Sequence, residues 1–85
     1  MSSDTKLFSV EEVDDAIIEA TLKEVSNSMR EIGYNPTNQI VGYLMSGDPG
    51  YISSHNNARN KIVKLDRTKV VELLFRRFNK WDASD

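Results

Sequence analysis

Asn35–Ile62 reads NPTNQIVGYLMSGDPGYISSHNNARNKI, and this stretch decides the fold. It holds both prolines, three of the four glycines and the single histidine. It also holds asparagines at 35, 38, 56, 57 and 60. Asn35 is placed to cap a helix, and Pro36 suits its first position, where a missing N–H costs nothing. Ile40, Val41, Leu44 and Met45 give that helix an apolar side, and Gly47 stops it. Gly42 lies inside it, where glycine weakens a helix by about 1 kcal/mol against alanine. A glycine there predicts close approach of another helix or chain. Ser46-Gly47-Asp48-Pro49-Gly50 is a turn, with Tyr51 and Ile52 tucked beneath it. Asp48 reads as a turn acceptor rather than a general base.

Two segments of ordinary composition flank this stretch. Before it, residues 10–33 read as a long amphipathic helix, with Ile18, Leu22, Val25, Met29 and Ile32 on one stripe. Val10, Val13 and Ile17 widen the stripe. Ser9 and Glu12 match a capping box, and acids crowd the first turns, where the helix dipole favours them. Gly33 is the C-terminal stop. After it, residues 57–65 predict a short helix with Ala58, Ile62 and Leu65 inward. Asp66 caps a fourth helix reaching about Trp81, with Val70, Leu74, Phe78 and Trp81 as its apolar line and Val71 and Phe75 beside them. No strand-like alternation of useful length occurs. The expectation is an all-α fold, a compact bundle of four helices, one or two of them short. Residues 1–9 form a flexible tail, 10–81 a single domain, and 82–85 a frayed end.

The 85 residues allow one domain with a marginal core, and small chains without staples often add a subunit. There is no cysteine, so neither a disulfide framework nor thiolate chemistry. No apolar run approaches the ~18 residues of a membrane span, and the first residues lack the pattern of a signal peptide. The expected location is the cytoplasm. Residues 1–34 carry eight acids and three bases, net −5, whereas residues 35–85 carry five acids and eight bases, net +3. The two halves can attract each other within one chain or across a dimer.

Catalytic constellations are missing. There is no phosphate-cradling glycine run, and His55 has no second histidine or cysteine to share a metal. Ser53, Ser54, His55 and Asp48 are triad types by composition only. No enzyme activity, metal or cofactor is expected. Arg59, Lys61, Lys64, Arg67 and Lys69 form a basic band with Tyr51 available for stacking. This leaves a small nucleic-acid-binding adaptor as the alternative to a solvated helix face. Two readings of the central stretch also stay open. In one, its asparagines and Asp48 cap helices and satisfy loops. In the other, Tyr43, Asp48, Tyr51, Asn56, Asn57 and Arg59 form a partner or ligand surface. In the tail, Thr5 is the best-placed phosphoacceptor, beside Leu7 and Phe8 as possible anchors.

Tyr34-Asn35-Pro36, Asn38-Gln39-Ile40-Val41-Gly42-Tyr43, Ser46-Gly47-Asp48-Pro49, Tyr51, Asn56-Asn57-Ala58-Arg59-Asn60 and Ile62 together resemble the signature of the IreB family. These are small cytoplasmic proteins of low-GC Gram-positive bacteria. The resemblance covers nearly the whole chain in length and order. It implies a helical homodimer with a flexible N-terminal tail, and a regulator rather than an enzyme. It further implies a membrane Ser/Thr kinase with cell-wall-sensing repeats as a partner, an unknown downstream effector, and a negative influence on cell-wall stress responses and cephalosporin tolerance. The family's acceptors are threonines in the tail. Thr5 stands at one such position, while Ser2 fills the other and departs from threonine.

Overall fold

The computed structural model describes residues 9–83, and for residues 81–83 the course of the backbone alone. Four α-helices run in the order α1 (Val10–Glu31), α2 (Pro36–Ser46), α3 (Ala58–Ile62) and α4 (Arg67–Ala83), with single 3-10 turns at Pro49–Tyr51 and His55–Asn57. No strand occurs among the described residues. Residues 1–8 of the predicted tail (1–9) and the last two residues of the predicted frayed end (84–85) lie outside the described residues.

The helix ends follow the local chemistry. Ser9 Oγ accepts from the Glu12 N–H at 3.0 Å, and Glu12 Oε1 accepts from the Ser9 N–H at 2.9 Å, closing the expected capping box. Ser9 therefore belongs to the helical body. At the other end Gly33 adopts φ +83°. Its N–H donates to Arg30 O, and that of Tyr34 to Met29 O, both at 3.0 Å. These are the paired bonds of a Schellman motif, which a residue with a Cβ closes less readily. Asn35 caps α2 through the Asn38 N–H at 3.2 Å. Asp66 Oδ1 caps α4 through the N–H groups of Thr68 and Lys69, at 2.9 and 3.2 Å.

The core has two lobes. Val25, Met29, Tyr43, Ile52, Ala58 and Ile62 fill the larger, between α1, α2, α3 and the central turn. Ile18, Val70 and Leu73 form the smaller, between α1 and α4. Half-buried Leu22, Leu44 and Leu65 border both. Ile18, Leu22, Val25 and Met29 of the α1 stripe thus face inward as their spacing predicts, whereas Ile32 is exposed. The three residues expected to widen the stripe, Val10, Val13 and Ile17, are exposed too, because the described residues leave that side of the helix start uncovered.

Three expectations are corrected. On α4 the inward pair is Val70 and Leu73, while Leu74 and Phe78 are exposed together with Val71 and Phe75. Apolar residues occupy more than half the circumference of α4, and Ile18, Leu22, Leu44 and Leu65 cover only one arc of it. Helix α4 also continues to Ala83 instead of stopping near Trp81. The helix expected over 57–65 is regular only over Ala58–Ile62, because the chain must turn at Val63–Leu65 to enter α4.

Candidate functional site

The central turn is fastened by side chains that bond to backbone. Ser46 Oγ donates to Gly42 O at 2.7 Å and accepts from the Asp48 N–H at 3.0 Å. Asp48 Oδ1 accepts from the Gly50 N–H at 2.8 Å and caps the first 3-10 turn. That is the turn-acceptor role its position predicts. Gln39 Nε2 donates to Tyr51 O at 2.9 Å, and Arg59 Nε donates to Ile52 O at 2.8 Å. Ile52 is thereby held in the core, fully buried. Gly42 does meet a close neighbour, but this is the Tyr51 ring and not a helix or a second chain. A Cβ on Gly42 would lie 2.4 and 2.5 Å from Tyr51 Cε1 and Cδ1.

The asparagine pair has a backbone role. Asn56 and Asn57 adopt φ +53° and +62° in succession, a conformation that asparagine tolerates better than most residues with a Cβ. Asn56 Nδ2 donates to Glu31 Oε1 at 3.0 Å, and His55 Nε2 meets the same oxygen at 2.8 Å. These bonds, from His55 first and Asn56 second, hold the Glu31 carboxyl below its ordinary value. Asn60 Nδ2 donates to Asn57 Oδ1 at 2.8 Å. His55 is thus a tie between the second 3-10 turn and the end of α1. Ser53 Oγ accepts from the His55 backbone N–H, not from the ring.

Of the six residues expected to form a partner or ligand surface, five are exposed: Asp48, Tyr51, Asn56, Asn57 and Arg59. Tyr43 is not; it is 5% exposed and packs in the larger core lobe, a correction that follows from its position on the inner side of α2. Among the described residues no group of three or more His, Cys, Asp or Glu side chains is arranged to hold a metal ion.

The acidic first half and basic second half meet within the one chain. Arg76 straddles Asp15 with two bonds of 2.9 and 3.1 Å and reaches Glu11 at 3.7 Å. Lys69 pairs with Asp14 at 3.3 Å, Arg77 with Glu19, and Lys61 with Glu24 at 3.7 Å. The Arg76 hydrogen bond, aided by the charges of Arg76 and Arg77, holds the Asp15 carboxyl below its ordinary value. The basic band is therefore largely engaged. Lys61 and Lys69 face carboxylates, Arg59 holds Ile52 O, and Arg67 donates to Leu44 O at 3.1 Å at the C-terminal end of α2.

Sequence reasoning missed Gln39 and Arg67 as fasteners. Neither forms part of a local pattern, since each bonds backbone 12 or 23 residues away. It also missed the exposed apolar face of α4, for which the run of apolar residues from Val70 to Phe78 was the available signal. The two expected acceptors, Thr5 and Ser2, lie outside the described residues. No helix among the described residues is long and apolar enough to cross a membrane. A family model described as IreB, IreB regulatory phosphoprotein, matches residues 3–80 of the chain.

Proposed function

The chain belongs to the IreB family of regulatory phosphoproteins, and from that premise we propose that it is a non-enzymatic cytoplasmic regulator switched by phosphorylation of Thr5. The observation that carries this reading is the family match itself, which includes Thr5 and begins one residue after Ser2. Ser2 is the second, weaker acceptor. The kinase is a membrane Ser/Thr kinase that senses the cell wall. It transfers the γ-phosphoryl group of ATP to the Thr5 hydroxyl oxygen; the hydroxyl proton passes to the kinase's base and ADP leaves. The output is restraint of the cell-wall stress response and of cephalosporin tolerance, through an effector that docks on the helical body. Asp48, Tyr51, Asn56, Asn57 and Arg59 are the exposed candidates for that contact.

The working form is a homodimer. Val71, Leu74, Phe75 and Phe78 repeat at spacings that share one face of α4, and they are 46%, 46%, 60% and 58% exposed. Phe75 and Phe78 stack with centroids 6.2 Å apart. Across a groove of about 490 Å³, Leu74 faces α2, whose Val41 is half exposed. A contiguous apolar face of this kind marks an interaction surface, and a second copy supplies the matching one. Phosphorylation by the kinase, read by intact-mass and fragment spectrometry, tests the switch. Thr5→Ala should remove most of the incorporated phosphate, and undiminished incorporation would place the switch elsewhere.

A further inference from the structure

A second apolar strip lies on α1, away from the α4 face. Val10, Val13 and Ile17 are 79%, 46% and 52% exposed and share one side of the helix by spacing. Ile17 continues into a groove of about 250 Å³ between α1 and the α3–α4 corner, lined also by Leu65, Asp14, Asp66, Lys64 and Lys69. Eight residues precede Ser9, the cap of α1. Phe8 therefore stands immediately before the cap, and Val13 is the fourth residue of the helix. Apolar residues at these two positions match the sequence pattern of a hydrophobic staple, a motif that sets the angle at which a chain enters its helix. Ile17 lies one turn beyond Val13 on the same strip.

Reach and charge then select a place for the phosphate. The four residues from Ser9 to Thr5 extend about 14 Å at most, and Ile17 lies about 12 Å along the helix from Ser9. Lys64 and Lys69 are within that range. Arg59 is not: its helix is tied to α1 at Glu24 by Lys61, about 22 Å from Ser9. Arg76 is near enough, but its cavity is lined by Glu11, Asp14, Asp15 and Glu72 against Lys69 and Arg76, a net charge of −2. Asp15 already occupies the Arg76 fork. A dianion is repelled there, whereas the groove beside Ile17 balances two lysines against two carboxylates. Lys69 is shared with Asp14 at 3.3 Å by a single bond, and Lys64 makes no ion pair among the described residues.

We propose that Leu7 and Phe8 of the same chain cover the Val10–Val13–Ile17 strip, and that a phosphate on Thr5 holds them there by pairing with Lys64 and Lys69. The inference deepens the phosphoregulator reading and rests on it. Phosphorylation then acts by docking the tail, changing which face of α1 other molecules meet. A phosphothreonine brings roughly two negative charges and three acceptor oxygens, and lysine binds such a group as a mobile point charge.

The absence of cysteine lets a single nitroxide be attached to full-length Ser3→Cys protein. Phosphothreonine is placed at position 5 by genetic encoding, so that no kinase is needed and failure of the kinase assignment is a separate result. The readout is paramagnetic broadening of backbone amide signals. Phosphorylation should raise broadening at Val13, Ile17, Lys64 and Leu65 about threefold. Lys64→Glu should return it to the unmodified level, Phe8→Ser should lower it with or without phosphate, and the phosphate-dependent part should fade between about 50 and about 500 mM salt. Broadening that ignores the phosphate, or that moves to Asn57 and Arg59, overturns the proposal. So does broadening that appears only between copies, in samples mixing spin-labelled and isotope-labelled protein.

Discussion

The two halves of α1 are held by different forces. Its C-terminal half buries Val25 and Met29 completely against Ile52, Ala58 and Ile62. Side chains bonded to backbone reinforce that end from Gln39, Asp48 and Arg59. Its N-terminal half buries only Ile18, against Val70 and Leu73. Around that small lobe the contacts are ion pairs between partly exposed side chains. Apolar burial is not screened by salt, whereas exposed ion pairs are weak and screened. The end of the molecule nearest Thr5 is therefore the end that added charge can move, and the asparagine-rich end is the platform.

Cavity mutations give the largest test of that contrast. Met29→Ala or Ile62→Ala should cost about 3–5 kcal/mol in urea denaturation, toward the upper part of the range for buried large-to-small changes. Ile18→Ala, beside a more open lobe that can relax, should cost about 2 kcal/mol. Equal losses at the two ends would break the comparison. Next comes Gly42→Ala. It gains up to about 1 kcal/mol of helix propensity but drives a methyl into the Tyr51 ring, at a cost of about 1–3 kcal/mol. A net loss is expected, and it should shrink in a Tyr51→Ala background. If it does not, the ring is not what glycine accommodates.

Backbone strain in the platform should show at Asn57. Asn57→Ala is expected to cost about 1 kcal/mol, because alanine resists positive φ, while Asn57→Gly should stay within a few tenths of a kcal/mol of the parent. A neutral alanine would mean that the turn has another conformation available. The smallest effect is electrostatic. Asp15 and Glu31 titrate below their ordinary values in the folded protein, so the unfolded chain takes up their protons first. Their stabilisation is present above the ordinary carboxylate range and is lost as pH falls from there through their lowered folded values. Denaturation midpoints compared between neutral pH and about pH 3 should decline. Arg76→Gln should remove the Asp15 share, and His55→Gln the larger part of the Glu31 share, with Asn56 keeping the rest. Only the Arg76 pair should also weaken as salt rises at neutral pH, since Asn56 still holds Glu31.

Much of this architecture was readable in the residues. Ser9 with Glu12, Gly33, Asn35-Pro36, Gly47 and Asp66 each announce a helix boundary by local chemistry, and each boundary lies where that chemistry puts it. The inward stripe of α1 follows from spacing alone. The register of α4 does not, because apolar side chains cover more of that helix than the rest of the chain buries, so several lines fit the pattern equally well. Gly42 signals a close contact without naming Tyr51, which lies nine residues on across a turn. Tyr43 looks like a surface aromatic when read beside Asp48 and Tyr51, yet the helical turn carries it to the opposite side. The fasteners Gln39, Arg67 and Glu31 act over long separations and leave no local trace.

Hydrogen exchange on the full-length protein, with and without phosphothreonine at position 5, tests the division most directly. Slower exchange confined to Val10–Ile18 and the Lys64–Lys69 corner is predicted, with the amides of Asp48–Arg59 unchanged. Changes concentrated at Asp48–Arg59, with the start of α1 unaffected, would contradict it.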